Sequence, residues 1–372
     1  MKTPEDAGVS SYHDLDPAIP VPEPWHRGRG VAGNPRNRFE RLAQTWDIEF
    51  DPTQDPDPRT TFLDDDSQEM LTENRSPDVP FAVGLNPYRG CEHGCSYCYA
   101  RPYHEYLGMS AGLDFETRIL VKRRAPELLR RALSSPRWIP QLVGMSGVTD
   151  CYQPVERRLR LTRGCLEVFA EFLNPVSLIT KNALIARDAD VLAVLAQHQA
   201  VHVTISLTTL RTDLVRSMEP RASDPAARLQ AITTLVAAGI PVGVNIAPVI
   251  PGLNDDELPA LVAAAAAAGA TTAGYQVVRL PHGVEHLFAD WIRHFQPTRA
   301  EVILERIRSL HDGAADAAPG RRMSGGGAWA EQIAQLFALG VRRAGLSGVW
   351  QSPSTASFRR PGGRQLSIFD SP

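Results

Sequence analysis

The chain has 372 residues, 43% of them hydrophobic, and a formal net charge of −3. This length and apolar content suit a globular protein with one large domain or two ordinary ones, and the net charge does not by itself indicate a polyanionic partner. The longest apolar run, residues 258–270, is alanine-rich and too short to span a bilayer, so we expect no membrane insertion. Because the first residues, "MKTPEDAGVS", form no basic and apolar signal segment, the sequence predicts a cytoplasmic location.

Residues 1–80 are rich in proline and in charged side chains. A basic stretch, "RGRGVAGNPRNRFER", is followed by an acidic one, "DPTQDPDPRTTFLDDDSQE". Segments of this composition do not form a packed core, so we expect a largely irregular N-terminal arm.

From residue 81 the pattern changes to short apolar runs that alternate with amphipathic segments, which predicts strand and helix units around a mostly parallel sheet. Six strands are predicted, at residues 81–86, 141–147, 175–180, 200–207, 240–247 and 271–280. Helices fit between them at residues 157–173, 184–197, 223–238 and 255–269. The predicted fold class is α/β, with a partial (β/α)6 TIM-like barrel over residues 81–290.

Beyond the barrel, residues 291–346 are predicted to form a helical C-terminal extension, which includes an amphipathic helix at 328–346. The last residues, 347–372, are rich in turn-forming side chains and are predicted to be a flexible tail.

Three of the five cysteines, Cys91, Cys95 and Cys98, lie in the stretch "NPYRGCEHGCSYCYA". Structural zinc usually takes four protein ligands from paired knuckles, and this chain has no second knuckle, although His93 could complete a zinc site. A [4Fe-4S] cluster held by three thiolates leaves one iron open to a small-molecule ligand. The spacing therefore favours an iron–sulfur cluster, with zinc as the alternative.

Polar side chains follow the other predicted strands, where a barrel places its chemistry. The candidates are Asp150, Cys151, Gln153 and Glu156 after the second strand, Lys181 after the third, Ser206 and Thr208 at the fourth, Asn245 in the fifth and Arg279 at the sixth. Lys181 is notable because the chain has only three lysines beside 36 arginines, and an ammonium is a point charge that a guanidinium does not replace.

The motif Cys91-x3-Cys95-x-Tyr97-Cys98, directly after the first predicted strand, resembles the radical S-adenosylmethionine (radical SAM) superfamily. The resemblance implies that the open iron binds S-adenosylmethionine, with Tyr97 near the adenine. It also implies that an electron donor such as flavodoxin or ferredoxin reduces the cluster, and that cleavage of the sulfonium gives a 5'-deoxyadenosyl radical that abstracts hydrogen from a substrate.

A closer resemblance, over roughly residues 80–290, is to the spore photoproduct lyase or DNA repair photolyase-like branch, and within it to a bacterial subfamily of unknown substrate. It rests on "GCSYCYA", on Cys151 followed ten residues later by "LT", and on "ITKN", "VTISL" and "MEPRASDPAARLQAITTLVAAGIPVGVNIAPVIP". The resemblance implies that Lys181 and Ser206 contact the carboxylate and ribose of S-adenosylmethionine, and Asn245 is a further cofactor-binding candidate.

By the same resemblance, Cys151 would return a hydrogen atom to the substrate radical, with Tyr97 and Tyr99 as a relay. The alternative is that Cys151 is a buried, inert cysteine. For Cys165, on the following helix, a buried core cysteine is the favoured interpretation. One departure from the lyase pattern is Gln153, where the lyase has a serine, and this weakens the transfer of the lyase reaction itself.

Two features suggest a nucleic-acid setting. The segment "ERRLRLTRG" carries Arg157, Arg158, Arg160 and Arg163, which could contact phosphates or simply form a solvated helix face. In the tail, "QLSIF" resembles the motif that docks bacterial repair proteins on the DNA sliding clamp, through Gln365, Leu366, Ile368 and Phe369. A radical SAM enzyme acting on nucleic acid is the first hypothesis; the alternatives are a protein or small-metabolite substrate and a non-catalytic iron–sulfur protein.

Overall fold

A computed structural model describes residues 25–40, 58–317, 319–346 and 351–361. The strands are β1 (Thr61–Asp64), β2 (Leu71–Glu73), β3 (Val83–Leu85), β4 (Tyr88–Arg89), β5 (Arg118–Val121), β6 (Val143–Met145), β7 (Val176–Thr180), β8 (Val201–Ser206), β9 (Val242–Val249) and β10 (Thr272–Val277). The α-helices are α1 (Leu113–Thr117), α2 (Ala125–Ser134), α3 (Glu156–Leu159), α4 (Leu161–Phe172), α5 (Ala189–Gln197), α6 (Thr212–Met218), α7 (Pro225–Ala237), α8 (Leu258–Ala267), α9 (Val284–Phe295), α10 (Ala300–Leu310) and α11 (Gly327–Ala344). Short 3₁₀ helices span Arg101–Leu107, Ala183–Asp188 and Asp255–Glu257.

A curved parallel sheet forms the centre of the molecule. Strands β3, β6, β7, β8, β9 and β10 pair with one another in that order, all parallel, and β2 adds antiparallel to β3 at one edge. Each of these parallel strands overlaps one of the six predicted from sequence, and they are neighbours in chain order, as in a (β/α)6 unit. The predicted partial barrel is therefore confirmed.

The two faces of the sheet differ in side-chain size. One face carries a row of valines in register that packs in the core beside the helices: Val143, Val176 and Val201 are buried and Val83 is partly buried. Since side chains alternate along a strand, the next residues face the barrel interior, and these are small or polar: Gly84, Gly144, Ser177 and His202. The absence of a side chain at Gly144 leaves room for the Phe81 ring, which a Cβ there would meet at 2.6 Å.

The predicted helix at residues 157–173 is broken in the structure. Arg160 has a left-handed conformation (φ 54°), which separates α3 from α4. This turn lies directly after the loop that carries Cys151, so it fixes how that loop meets α4.

The described part of the N-terminal arm contains regular structure that was not expected from its composition. Strand β1 pairs in parallel with β5, and β4 pairs antiparallel with β5, so a second, three-stranded sheet forms. Residues 25–40 pack on the loop that carries the three cysteines: a side chain at Gly30 would put its Cβ 1.4 Å from the carbonyl oxygen of Gly94.

The C-terminal extension consists of α9, α10 and α11. Residues 319–326, which we call the strap, connect the two open edges of the partial barrel. Met323 accepts a hydrogen bond from the N–H of Val277 in β10 (2.9 Å), while Arg322 Nε donates to Asp78 beside β2 and β3 (2.6 Å). In the part of the chain that is described, no helix is long and apolar enough to cross a membrane.

Candidate functional site

The three cysteines lie in a tight loop at the carboxyl end of the barrel. Cys91 and Cys95 are buried, Cys98 is partly exposed, and none of them forms a disulfide. The loop is held by short-range hydrogen bonds, in which Gly94 N–H donates to Cys91 O and Cys98 N–H to Cys95 O, each at 3.3 Å. Gly94 has φ +64° and its missing Cβ would lie 2.2 Å from a carboxylate oxygen of Glu116, so only glycine fits there.

The residues present fit an iron–sulfur cluster. Burial raises the pKa of the Cys91 thiol well above its usual value, and the charges of Asp150, Cys95 and Cys98 raise it further, so thiolates need a cationic partner here. Ser96 Oγ is buried between Cys95 and Tyr97 and has no hydrogen-bond partner among the described residues, which suits donation to a sulfur atom.

The zinc alternative fits less well. In the described residues, no three histidine, cysteine, aspartate or glutamate side chains converge as ligands of one ion. His93 is already engaged, with Nδ1 3.4 Å from Asp150 Oδ2 and Nε2 3.2 Å from Asn182 Nδ2. A cluster binds each thiolate at a different iron and needs neither convergence on one ion nor a histidine.

Gln153, the departure from the lyase pattern, anchors the cysteine loop. It is fully buried, its Oε1 accepts a hydrogen bond from Glu92 N–H (2.9 Å), and its Nε2 donates to Gly90 O (3.1 Å). Glu92 in turn accepts from Val155 N–H (2.6 Å). The glutamine thus joins the cysteine loop after β4 to the loop after β6.

Asp150 joins the cysteine loop to β7. Its carboxylate accepts hydrogen bonds from Lys181 N–H (2.8 Å) and Thr180 Oγ1 (2.7 Å) and lies beside His93. Burial alone would raise the pKa of Asp150, but His93 and these hydrogen bonds outweigh it and lower the pKa to about 2. Asp150 is therefore a largely buried carboxylate, 11% exposed, that links the cysteine loop to the ends of β6 and β7.

Lys181, Tyr97 and Glu219 meet beside Cys95. The Lys181 ammonium lies 5.8 Å from the centre of the Tyr97 ring, and it lowers the pKa of the Cys95 thiol against the larger effect of burial. Tyr97 Oη donates to the carboxylate of Glu219, which also accepts from Thr208 Oγ1 (2.6 Å) and from Arg228. Burial would raise the pKa of Glu219, but Arg228, Lys181 and these hydrogen bonds lower it to about 2.

Ser206 and Asn245 lie next to each other on neighbouring strands. They are register partners in the pairing of β8 with β9, and Gly274 of β10 follows in the same row. Ser206 is buried and Asn245 is partly exposed. This row faces the barrel interior near the carboxyl ends, where a ribose could be bound.

Tyr99 lies on the opposite side of the loop from Tyr97. Its side chain is 36% exposed, its Oη donates to Gly147 O (2.8 Å), and the Arg279 guanidinium lies 4.4 Å from its ring centre. The hydroxyl groups of Tyr97 and Tyr99 thus have separate partners, so the structure does not bring them together with Cys151 as a hydrogen-bonded relay.

Cys151 is fully buried and packs in the main hydrophobic core with Tyr152 and Cys165. Its N–H donates to Ser146 Oγ (3.0 Å), and its carbonyl accepts from Thr162 Oγ1 (2.6 Å). Burial raises the pKa of its thiol, so the protonated form, which carries the hydrogen atom, is favoured. The thiol has no exposed surface, however, and its role as a donor stays a prediction.

The basic segment after this loop divides into two parts. Arg157, Arg158 and Arg160 are exposed. Arg163 instead pairs with Asp190 (2.8 Å) and Asp188 (3.3 Å), so it serves helix packing and is removed from the candidate phosphate contacts. The tail residues Gln365, Leu366, Ile368 and Phe369 lie outside the described residues.

Sequence reasoning missed Glu219 and Arg228 as site residues. Both are fully buried: Glu219 directly follows α6, Arg228 lies on α7, and their ion pair supports Tyr97. The signal was present in "MEPRASDPAAR", where a charged pair interrupts an otherwise strand-and-helix pattern. It could not reveal the partner, because Tyr97 is 122 residues away.

Comparisons with known proteins relate the chain to a family and to a known fold. A model of the radical SAM superfamily matches residues 85–265. An uncharacterized protein of Mycobacterium tuberculosis is 37% identical over 238 residues, which cover 63% of this chain and 68% of the relative. An uncharacterized protein of Methanocaldococcus jannaschii is 29% identical over 191 residues, covering 51% and 68%. A solved mutant of spore photoproduct lyase shares the fold, with a TM-score of 0.55 at 12% identity over 76% of this chain and 78% of that one.

Proposed function

Because the chain belongs to the radical SAM superfamily, we propose that it is an enzyme that cleaves S-adenosylmethionine reductively and abstracts hydrogen from a substrate. The superfamily uses a [4Fe-4S] cluster and S-adenosylmethionine, and Cys91, Cys95 and Cys98 would hold the cluster. When bound, these two groups together supply a 5'-deoxyadenosyl radical.

One observation carries the proposal: a lone ammonium, Lys181, lies over Tyr97 beside the cysteine loop. In the described residues no carboxylate lies within ion-pair distance of Lys181, so it can bind the carboxylate of the cofactor. The Tyr97 ring, fixed through its hydroxyl by Glu219, offers a flat apolar face to an adenine. Ser206 and Asn245 offer a hydroxyl and an amide on the neighbouring strands.

The test is anaerobic reconstitution of the full chain, followed by dithionite and S-adenosylmethionine. Formation of 5'-deoxyadenosine and methionine is expected, and the variant Cys95→Ala should form neither. A well-formed cluster that leaves the cofactor intact would instead favour a non-catalytic iron–sulfur protein.

We propose nucleic acid as the substrate class. The support is the exposed set of Arg157, Arg158 and Arg160, which follows the loop of Cys151 at the carboxyl end of the barrel. A deuterated DNA or RNA oligonucleotide should transfer deuterium to 5'-deoxyadenosine. The variant Arg157→Glu/Arg158→Glu should bind the oligonucleotide more weakly, with less effect at high salt.

A small metabolite is the second candidate, and the strap favours it. The ion pair of Arg322 with Asp78 and the hydrogen bond of Met323 to β10 close the gap between the barrel edges. A strap fixed in this way admits a small molecule more readily than a polymer. If Arg322→Ala raises deuterium transfer from oligonucleotides, nucleic acid is supported as the substrate. If no oligonucleotide transfers deuterium to the wild-type protein or to Arg322→Ala, the small metabolite is supported instead.

The tail motif adds a partner to this proposal. Gln365, Leu366, Ile368 and Phe369 match the pattern of a short peptide that docks on the DNA sliding clamp. Deletion of residues 365–369 should abolish retention of the purified chain on immobilised clamp, whereas cofactor cleavage should be unchanged. Equal retention of both proteins would exclude this partner.

A further inference from the structure

An arginine-lined cleft lies where the N-terminal arm meets the cysteine loop. Its volume is about 480 Å³, and we call it the arginine cleft. It is lined by Arg27, Arg29, Pro58, Arg59, Thr60, Phe62, Glu92 and Arg221. A second cleft of about 440 Å³ adjoins it and shares Arg27 and Arg29. The walls thus come from the arm, from the cysteine loop after β4 and from the segment between α6 and α7.

Several of these cations are available to a partner. Arg27 and Arg59 are exposed, and in the described part of the chain neither pairs with a carboxylate. Arg221 lies 3.4 Å from Glu92, a long contact. Arg158 extends the basic surface, since its guanidinium lies 5.1 Å from the centre of the Phe62 ring. The cleft is therefore locally positive in a chain whose net charge is −3.

The arginine cleft adjoins the cysteine loop, because Glu92 of that loop lines it. Glu92 follows Cys91 directly in the chain, and Gly30 lies against Gly94 with no room for a side chain. A chain of contacts joins the two segments: Gly30 N–H donates to Glu116 (3.1 Å), which pairs with Arg101 (3.0 Å). Arg101 Nε in turn donates to the carbonyl of Cys95 (3.0 Å).

The residues that line the cleft are different from those expected to bind the cofactor. A Cβ at Gly94 would contact Glu116 and Gly30. The charges that act on the pKa of the Cys95 thiol are instead those of Glu219 and Lys181. A group bound in the arginine cleft would thus be close to the cluster without occupying the place of S-adenosylmethionine.

We propose that the arginine cleft is the docking site of the protein that supplies the electron, a small carrier with an acidic face around its redox group. This inference rests on the proposed function, because only a reductively driven enzyme needs such a partner. The carrier is oxidised by one electron and the cluster is reduced by one, with no transfer of a proton or atom. Opposite charges speed such an encounter and orient it.

The test compares two double variants of the reconstituted full chain. Arg27→Glu/Arg59→Glu reverses the charge of two arginines that line the cleft. The control, Arg137→Glu/Arg343→Glu, reverses the charge of two exposed arginines elsewhere on the protein. Stopped-flow absorbance follows cluster reduction by a pre-reduced bacterial flavodoxin at low ionic strength. We expect about a tenfold or greater loss of rate for the cleft variant, no loss for the control, and a wild-type rate that falls with added salt.

Dithionite separates this inference from the proposed function. A small reductant needs no docking site, so dithionite should reduce the cluster of the cleft variant at the wild-type rate. The neutral variant Arg27→Gln/Arg59→Gln should lie between wild type and the reversed variant. Equal rates of cluster reduction by flavodoxin in the wild type and all variants would overturn the docking site. So would a cleft variant that loses oligonucleotide binding while its cluster is still reduced by flavodoxin at the wild-type rate. Failure of S-adenosylmethionine cleavage with dithionite would instead count against the proposed function alone.

Discussion

Tyr97, which lies between Cys95 and Cys98 in the chain, donates its phenolic hydrogen bond to Glu219, a fully buried carboxylate directly after α6. Because Glu219 also pairs with Arg228, it fixes both the tyrosine ring and the loop after β8. The ring position on which cofactor binding would depend is thus set by a residue that need not touch the cofactor.

Glu219→Gln should destabilise the protein by about 3 kcal/mol, because it leaves the buried Arg228 without its counter-charge. The urea midpoint measures this loss. Tyr97→Phe, which removes only the hydroxyl, should cost about 1 kcal/mol. If both variants cost the same, Arg228 does not depend on Glu219 for its charge balance.

Substitution of any one of Cys91, Cys95 and Cys98 by alanine should abolish stable binding of iron and sulfide. Each thiolate holds a separate iron, so two ligands leave the cluster labile. Iron and sulfide analysis after anaerobic reconstitution checks this. The matched control is Cys165→Ala, a buried cysteine on α4, which should keep its iron. Zinc in the purified wild-type protein, in place of iron, would contradict the assignment.

Lys181→Met should raise the KM for S-adenosylmethionine by about tenfold to a hundredfold, because a charge-assisted contact with the carboxylate is lost. The kcat should change less, and the cluster spectrum should be unaltered. Lys181→Arg distinguishes a point charge from a guanidinium and should restore binding only in part. An unchanged KM in Lys181→Met would remove this residue from the cofactor site.

Cys151→Ala separates a hydrogen donor from a packing residue. If Cys151 is a packing residue, its replacement by alanine should lower the free energy of unfolding by about 1 to 2 kcal/mol and leave the products unchanged. As a donor it should leave cofactor cleavage intact but alter the substrate product or its yield. Mass spectrometry of the products decides, and Cys165→Ala supplies the packing control for the same core.

The stability of the cluster-free chain should fall in acid. The folded-state pKa values of Asp150 and Glu219 are each lowered to about 2, below their usual values of 3.8 and 4.5. A carboxyl whose pKa is lowered by folding stabilises the folded state fully when the pH is above its pKa in the unfolded chain. This contribution is lost as the pH drops from about 5 toward 2. Each residue contributes roughly 2 to 3 kcal/mol by this linkage. The urea midpoint should therefore decline over that range, and less steeply in Glu219→Gln.

The barrel strands were predictable because each parallel strand is a short apolar run, buried on the helix side by residues such as Val143 and Val176. The three cysteines stand out in the sequence by their spacing, and their assignment as cluster ligands stays a prediction. The three-stranded sheet was not predictable from the sequence, because β1 pairs with β5 across 57 residues of chain, from Thr61 to Arg118. Nor was the break at Arg160, where a non-glycine residue adopts a positive φ.

The site could be predicted only where it is local. Lys181 and Ser206 follow directly from strand ends. Glu219 and Gln153 act through partners that are distant in the chain, Tyr97 and the backbone of Glu92 and Gly90. No pattern of hydrophobicity or spacing records such contacts.

The contact between Gly30 and Gly94 bears on how shortened versions of this protein should be made. A boundary at residue 81, where the strand-and-helix pattern begins, would remove the backbone on which the cysteine loop rests. Such a fragment would retain every ligand of the cluster yet expose it to oxygen and water from the side that the arm now shields. We therefore recommend that expression for metal analysis begin before residue 25.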